Sequence, residues 1–119
     1  MKSDLAPIET DTFETLRDLF GEEFEALLRD YLVNAPDLAA QIAAAVHEQN
    51  TAAVAAAAHQ LKATSATFGA LLLTEIAEQI ESQASAGNLC ECRQLVDSCL
   101  DEADRVSRAL KSACPVPGR

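Results

Sequence analysis

Hydrophobic positions recur every three or four residues along most of this chain, which is the spacing of amphipathic helices. The two longest stripes consist of Leu72, Leu73, Ile76, Ala77, Ile80 and Ala84, and of Cys92, Leu95, Val96, Cys99, Ala103, Val106, Leu110 and Ala113. Shorter stripes lie between residues 24 and 32 and between residues 38 and 49. The pattern predicts an all-α chain.

Capping residues and helix breakers predict where the helices begin and end. Asp11, with Glu14 three residues later, is typical of the start of a helix, and Gly21 is typical of its end. The segment 34–36, which ends in Pro36, predicts a break between a second helix over residues 22–33 and a third, because proline fits the first turn of a helix. The remaining boundaries are predicted at residues 50–51, 67–69 and 87–88.

Four helices of roughly 14 to 25 residues with very short connections pack as antiparallel neighbours. We therefore predict an up-down antiparallel four-helix bundle with additional short N-terminal helices. A chain of 119 residues fits one domain with one core. We place that domain at residues 8–113, with flexible termini at residues 1–7 and 114–119.

Composition supports the helical prediction and narrows the function. Alanine accounts for 23 of the 119 residues and is the strongest helix former. The formal net charge of -10 repels phosphate backbones and anionic lipid heads, so we expect neither nucleic acid nor a membrane surface as a partner. The first ten residues lack the apolar region of a signal peptide, and no run of about 18 apolar residues is present. We therefore expect a cytoplasmic protein.

The four cysteines, at positions 90, 92, 99 and 114, include no Cys-x-x-Cys pair, and we interpret them as reduced thiols. A zinc site is the alternative, but neither histidine lies near them in the sequence, and residues two apart point to different sides of a helix. Cys92 and Cys99 are seven residues apart, which is the spacing of core positions.

The predicted helix from Thr51 to about Ala66 carries the candidate chemistry. Its hydrophobic residues fall on one side, and His59 points the opposite way. Lys62, three residues after His59, is the one charged neighbour and lies within side-chain reach. The small residues on the same outward face are Ala52, Ala55, Ala56, Ala63 and Ala66. Such a face would allow another protein to approach the imidazole closely.

The segment Ala58-His59-Gln60-Leu61-Lys62-Ala63, followed by Gly69-Ala70, resembles the signature of histidine-containing phosphotransfer (HPt) domains. That signature reads Ala-His-x-Leu-Lys-Gly, then a few small residues, then Gly-Ala. The helix order over about residues 8–113 is also similar to that of the family. Ala63 departs from the pattern, since the family has glycine there, and its methyl group could crowd an incoming partner.

The resemblance implies a phosphorelay carrier with His59 as the phosphoacceptor. Its Nε2 would attack the aspartyl-phosphate of a response-regulator receiver domain and later pass the phosphoryl group to another receiver. Lys62 would offer positive charge to the phosphoryl oxygens. The alternative interpretation of Lys62 is a solvated surface lysine without a role in transfer. Related domains hold the imidazole with a polar side chain on the next helix. Glu81 matches that position by its offset from the motif, and Gln79 is a second candidate, although either is alternatively a surface residue.

In such a relay the receiver supplies the aspartate and Mg²⁺. The resemblance therefore implies a phosphocarrier and not an enzyme, with no intrinsic cofactor or metal. The expected partners are receiver domains and a hybrid sensor histidine kinase, and the default state is a monomer, because the histidine face has to stay open. The sequence has no Gly-rich ATP-binding loop. His47 lacks the flanking signature and is interpreted as a surface histidine.

Two other classes of function can be compared with a phosphocarrier. A helical adaptor would bind a signalling partner through the same small-residue face without phosphate chemistry, and this alternative stays open. A metal-carboxylate four-helix bundle needs Glu-x-x-His pairs on facing helices. The sequence disfavours that bundle, because Ala44 and Ala56 stand three residues before His47 and His59.

Overall fold

In the computed structural model, which describes residues 6–113, the chain folds into five α-helices and one short 3₁₀ turn. The helices are α1 (Thr10–Phe20), α2 (Phe24–His47), α3 (Thr51–Thr67), α4 (Leu71–Ser85) and α5 (Leu89–Ala113), and the 3₁₀ turn, Gly21–Glu23, joins α1 to α2. No strand occurs within the described residues, and the predicted all-α class is confirmed. Cys114 and the side chain of Ala113 lie outside them, as does most of the predicted flexible termini.

The bundle consists of α2, α3, α4 and α5. Because α3 packs against α2 and α4, and α5 packs against the same two helices, α3 and α5 lie on opposite sides of the bundle. The largest fully buried aliphatic side chains come from all four helices and include Leu28, Ile42, Leu61, Leu73, Ile80 and Leu110. The predicted four-helix bundle is therefore confirmed. One short helix, α1, precedes it within residues 6–113, where the sequence predicted two.

The predicted break at Pro36 is wrong, because α2 runs through it as one helix of 24 residues. Proline in a helix interior removes one hydrogen bond and crowds the carbonyl four residues earlier. Here Pro36 is exposed, where water can satisfy that carbonyl, while Tyr31, Ala35 and Leu38 are buried on the other side of α2. Packing of this stripe on both sides of the proline outweighs the local cost. As a consequence, residues 34–41 form a helical surface along α3.

The junction between α3 and α4 is fixed by α1. Gly69 has φ of +77°, and its carbonyl accepts a hydrogen bond from the Glu9 N–H at 2.8 Å. A Cβ at this position would lie 2.9 Å from the Cβ of Thr12. Only glycine therefore meets both the left-handed conformation and the close approach of α1. This contact gives the Gly-Ala end of the signature a structural reason.

The predicted capping residues are partly confirmed. Asn50 caps α3, since its side chain accepts a hydrogen bond from the Ala53 N–H at 3.1 Å. Gly21 ends α1 as predicted. The predicted start at Asp11 is wrong, because α1 begins at Thr10 with Glu9 at the cap position. The Thr12 hydroxyl donates to the Glu9 carboxylate and holds this first turn.

An aromatic cluster closes the end of the bundle that lies near α1. Tyr31 stacks on Phe68 with ring centroids 4.7 Å apart, and Phe24 lies edge-on to Phe13 at 5.2 Å. The Tyr31 hydroxyl shares a hydrogen bond of 2.8 Å with Ser65. Burial raises the pKa of Tyr31 to about 12. The phenol is therefore a neutral part of the core at physiological pH.

Two cysteines lie in the core, as their seven-residue spacing predicts. Cys92 and Cys99 are fully buried, and both are free, as is the exposed Cys90. Burial raises the pKa of the Cys99 thiol to about 12.

None of the helices within residues 6–113 is both long enough and apolar enough to cross a bilayer.

Candidate functional site

His59 stands on the outward side of α3. The inward side of this helix buries Val54, Ala57 and Leu61, which lie at helical spacing and anchor it in the core. The His59 side chain is 63% exposed, and that of Lys62, one turn further, is 30% exposed. The predicted orientation of the imidazole away from the core is confirmed.

Glu81 of α4 joins these two groups through one carboxylate. Its Oε2 lies 2.9 Å from Nδ1 of His59, and its Oε1 lies 2.7 Å from Nζ of Lys62. The hydrogen bond from Lys62, and after it the one from His59, hold the pKa of Glu81 below its ordinary value. The same carboxylate raises the pKa of Lys62. Both shifts favour a Glu81 carboxylate and a Lys62 ammonium at neutral pH.

This contact decides which imidazole nitrogen carries the proton. An ionised carboxylate can only accept hydrogen bonds, so Nδ1 of His59 has to be the donor to Glu81. In a neutral imidazole the other nitrogen then holds the lone pair. The arrangement therefore leaves the lone pair on Nε2, in a ring that is mostly exposed.

Gln79 does not share this role, so the second candidate for holding the imidazole is wrong. It lines a groove between α4 and α5 together with Ser82, Gln83 and Gln94. Residues two positions apart point to different sides of a helix. Since Glu81 faces α3, Gln79 faces α5 instead.

The small residues of α3 are placed largely as predicted. Ala52, Ala56, Ala63 and Ala66 are exposed, whereas Ala55 is half-buried and packs against the core. The surface available to a partner is therefore narrower at Ala55 than the sequence predicted. The role of these residues in partner binding stays a prediction.

Sequence reasoning missed the part of this surface that α2 contributes. A depression of about 410 Å³ beside His59 is lined from α3 by Gln60, Ala63 and Thr64, and from α2 by Asn34, Asp37, Leu38 and Gln41. The four α2 residues follow the helical spacing i, i+3, i+4 and i+7. That spacing was a usable signal, but the predicted break at Pro36 interrupted it.

No group of three or more histidine, cysteine, aspartate or glutamate side chains within residues 6–113 is placed to hold a metal ion. The site consists instead of one imidazole, one ammonium and one carboxylate. Such a set can supply a nucleophile of fixed tautomer together with a nearby positive charge.

Comparison with known proteins assigns the family. The Hpt domain model matches residues 26–109, which is more than two thirds of the chain and includes His59, Lys62 and Glu81. The chain belongs to the Hpt domain family. Hpt domains act in phosphotransfer within two-component systems and are phosphocarriers rather than enzymes. The family interacts with response-regulator receiver domains and histidine kinases.

A solved structure shares the fold of this Hpt domain. Histidine-containing phosphotransfer protein B (HptB) from Pseudomonas aeruginosa PAO1 is similar with a TM-score of 0.85 and 21% identity, over 90% of this chain and 93% of that chain. At this identity the likeness establishes the fold. No curated protein matches the sequence.

Proposed function

We propose that His59 is the phosphoacceptor of this Hpt domain, taking a phosphoryl group from the aspartate of one receiver domain and passing it to another. The observation that carries the proposal is the contact of 2.9 Å between Nδ1 of His59 and the Glu81 carboxylate. This contact supports the assignment because it keeps the imidazole proton on Nδ1 and leaves the Nε2 lone pair for attack.

The chemical step follows from this tautomer. The Nε2 lone pair forms the new nitrogen–phosphorus bond, while the bond between phosphorus and the aspartyl oxygen breaks and the receiver recovers its carboxylate. Because Nδ1 keeps its proton, the phosphorylated ring carries a positive charge. Glu81 faces that charge across the same hydrogen bond and stabilises it. Return transfer to a second receiver reverses these bond changes.

Lys62 supplies the positive charge nearest to the incoming phosphoryl group. It is the only formally charged side chain of α3 apart from the titratable histidine, and it stands one turn from His59. Its ammonium is held by Glu81 at 2.7 Å. A phosphoryl group on Nε2 would share or take over this ammonium. The ammonium then compensates the negative charge of the phosphoryl oxygens, while Glu81 continues to face the positive charge of the ring.

The receiver provides the remaining chemistry. It contributes the aspartate and its Mg²⁺, and a hybrid sensor histidine kinase stands upstream of the relay. The Hpt domain itself requires no cofactor and acts as a monomer in the cytoplasm, with the His59 face open to each receiver in turn.

A transfer assay tests the proposal. The protein is mixed with a receiver domain that was charged with radiolabelled phosphate in the presence of Mg²⁺, and the label on the Hpt domain is tested for stability to base and lability to acid. We expect His59→Gln to abolish labelling and His47→Gln, the matched control at the other histidine, to retain it. Helicity by circular dichroism should be unchanged in both variants.

The alternative is a helical adaptor that binds a signalling partner through the same face and carries no phosphate. Ala63 favours it, since it stands where the family has glycine and lines the depression beside His59. In that case a folded wild-type protein takes no label from any of several receivers, and His59→Gln leaves partner binding intact.

A further inference from the structure

The helices that surround His59 are strongly acidic. Together α2, α3 and α4 carry only two basic side chains, Arg29 and Lys62, and Lys62 is already paired with Glu81. The acidic side chains of these helices are Glu25, Asp30, Asp37, Glu75, Glu78 and Glu81. By contrast α5, on the opposite side of the bundle, carries the four basic residues Arg93, Arg105, Arg108 and Lys111 beside five acidic ones. The deficit of positive charge therefore lies on the His59 side.

Two of these carboxylates flank the site. Asp37 of α2 is exposed in the depression beside His59, where its Oδ2 accepts a hydrogen bond from Gln41 at 2.7 Å. The nearest basic residue on α2 is Arg29, eight positions and thus about 12 Å away along the helix. On the other flank, Glu78 of α4 is exposed and stands one helical turn before Glu81, on the same side of that helix. We call Asp37 and Glu78 the acidic flanks.

A receiver brings a phosphoryl group that is itself negatively charged toward this surface. Like charges across an interface slow the encounter and suppress binding unless opposite charges compensate them. The single ammonium of Lys62 is shared with Glu81, so compensation has to come from the partner. The depression beside Asp37, at about 410 Å³, has room for the end of a lysine or arginine side chain.

We propose that the acidic flanks select receiver domains that carry lysine or arginine on the docking surface around their phosphorylation site, with one of these surface side chains seated in the depression against Asp37. This inference rests on the proposed role of His59 and adds the chemistry of the partner surface. The alternative to a basic side chain in the depression is an apolar side chain of the receiver, packed on Leu38 and Ala63.

The experiment measures the second-order rate of phosphoryl transfer from a radiolabelled receiver that is shown first to label wild-type protein at His59. We expect Asp37→Lys and Glu78→Lys each to slow transfer by about fivefold or more, because attraction becomes repulsion. Asp37→Asn, which keeps the shape, should slow it by about twofold. Asp101→Lys on α5, an exposed carboxylate away from His59, is the matched control and should stay within about twofold of wild type.

Salt and a reciprocal variant complete the test. Raising the ionic strength from roughly 0.05 M to 0.5 M should slow wild-type transfer, because screening weakens charge attraction at the surface. Replacing the receiver's surface lysine or arginine that docks at Asp37 by glutamate should restore transfer to the Asp37→Lys protein. Equal rates for wild type and both lysine variants, with no salt dependence, would overturn the proposal and indicate apolar docking. Failure of the proposed function shows differently, as a wild-type protein that takes no label at all.

Discussion

Replacing Glu81 by alanine tests how the tautomer of His59 is set. The change removes the acceptor that lies 2.9 Å from Nδ1, while leaving the exposed ring on α3 otherwise untouched. Without this acceptor the proton distributes between the two nitrogens, and part of the population carries it on Nε2. That part has no lone pair at the atom proposed to attack phosphorus.

The magnitude follows from the exposure of the contact. A hydrogen bond to a charged group contributes about 1.5–3 kcal/mol when it is well shielded. The two side chains are 63% and 25% exposed, so solvent screening reduces this to about 1 kcal/mol. Since about 1.4 kcal/mol corresponds to a factor of ten, transfer to Glu81→Ala should be about fivefold slower than to wild type. Glu81→Gln keeps an amide oxygen that can accept from Nδ1, and its rate should lie in between.

The assay combines transfer rates with nitrogen NMR of the imidazole, which reports the tautomer independently of any receiver. Gln79→Ala is the matched control, because Gln79 lies on the same helix and faces α5. We expect the control to keep both the wild-type rate and the Nδ1-protonated ring. A Glu81→Ala protein with a wild-type rate and an unchanged tautomer would refute the reasoning.

Three further predictions concern stability and the local surface. Gly69→Ala should lower the free energy of unfolding, measured in urea, by about 2 kcal/mol or more, because it adds both left-handed strain and a clash with Thr12. Gly87→Ala is the control: its φ is +80° but no atom lies nearby, so it should lower this free energy by only about 1 kcal/mol. Equal losses would contradict the steric argument. Burial raises the pKa of Tyr31 from 10.0 to about 12, so the phenol ionises at lower pH in the unfolded chain than in the folded one. Wild type should therefore lose stability as pH rises from 10 to 12, and Tyr31→Phe should lose less. Parallel pH profiles of the two proteins would contradict this prediction. Ala63→Gly should cost about 1 kcal/mol of stability and speed transfer, because it removes the methyl group that crowds the partner. An equal or slower rate would show that this methyl group does not crowd the partner.

The bundle and the phosphoacceptor candidate could be predicted because their signals are local and repeated. Helical spacing over several turns predicts α4 and α5, and the segment around His59 combines a signature with a face of small residues. Pro36 shows where local reasoning fails. Its propensity to start a helix was outweighed by packing of α2 on α3 and α5, which involves residues distant in the sequence.

The choice between Glu81 and Gln79 also depended on tertiary structure. Both are polar residues of α4, and only the rotation of α4 against α3 decides which one faces His59. Glu102 gives a second example, since it lies on the core stripe between Cys99 and Val106 and is only 5% exposed. One of its oxygens accepts a hydrogen bond from Arg105 at 2.9 Å. A charged residue is seldom buried without such a partner. Arg105 stands three positions after Glu102, so helical spacing indicates the pair, but only the packing of α5 shows that the carboxylate is buried.

The most direct test of the account is to identify the atom that carries the phosphoryl group. Protein labelled by a phosphorylated receiver is examined by phosphorus and nitrogen NMR, which assigns the phosphorylated nitrogen of the ring. We predict a phosphoryl group on Nε2 of His59, with Nδ1 still protonated and bonded to Glu81. A phosphoryl group on Nδ1, or on any residue other than His59, would contradict the central claim.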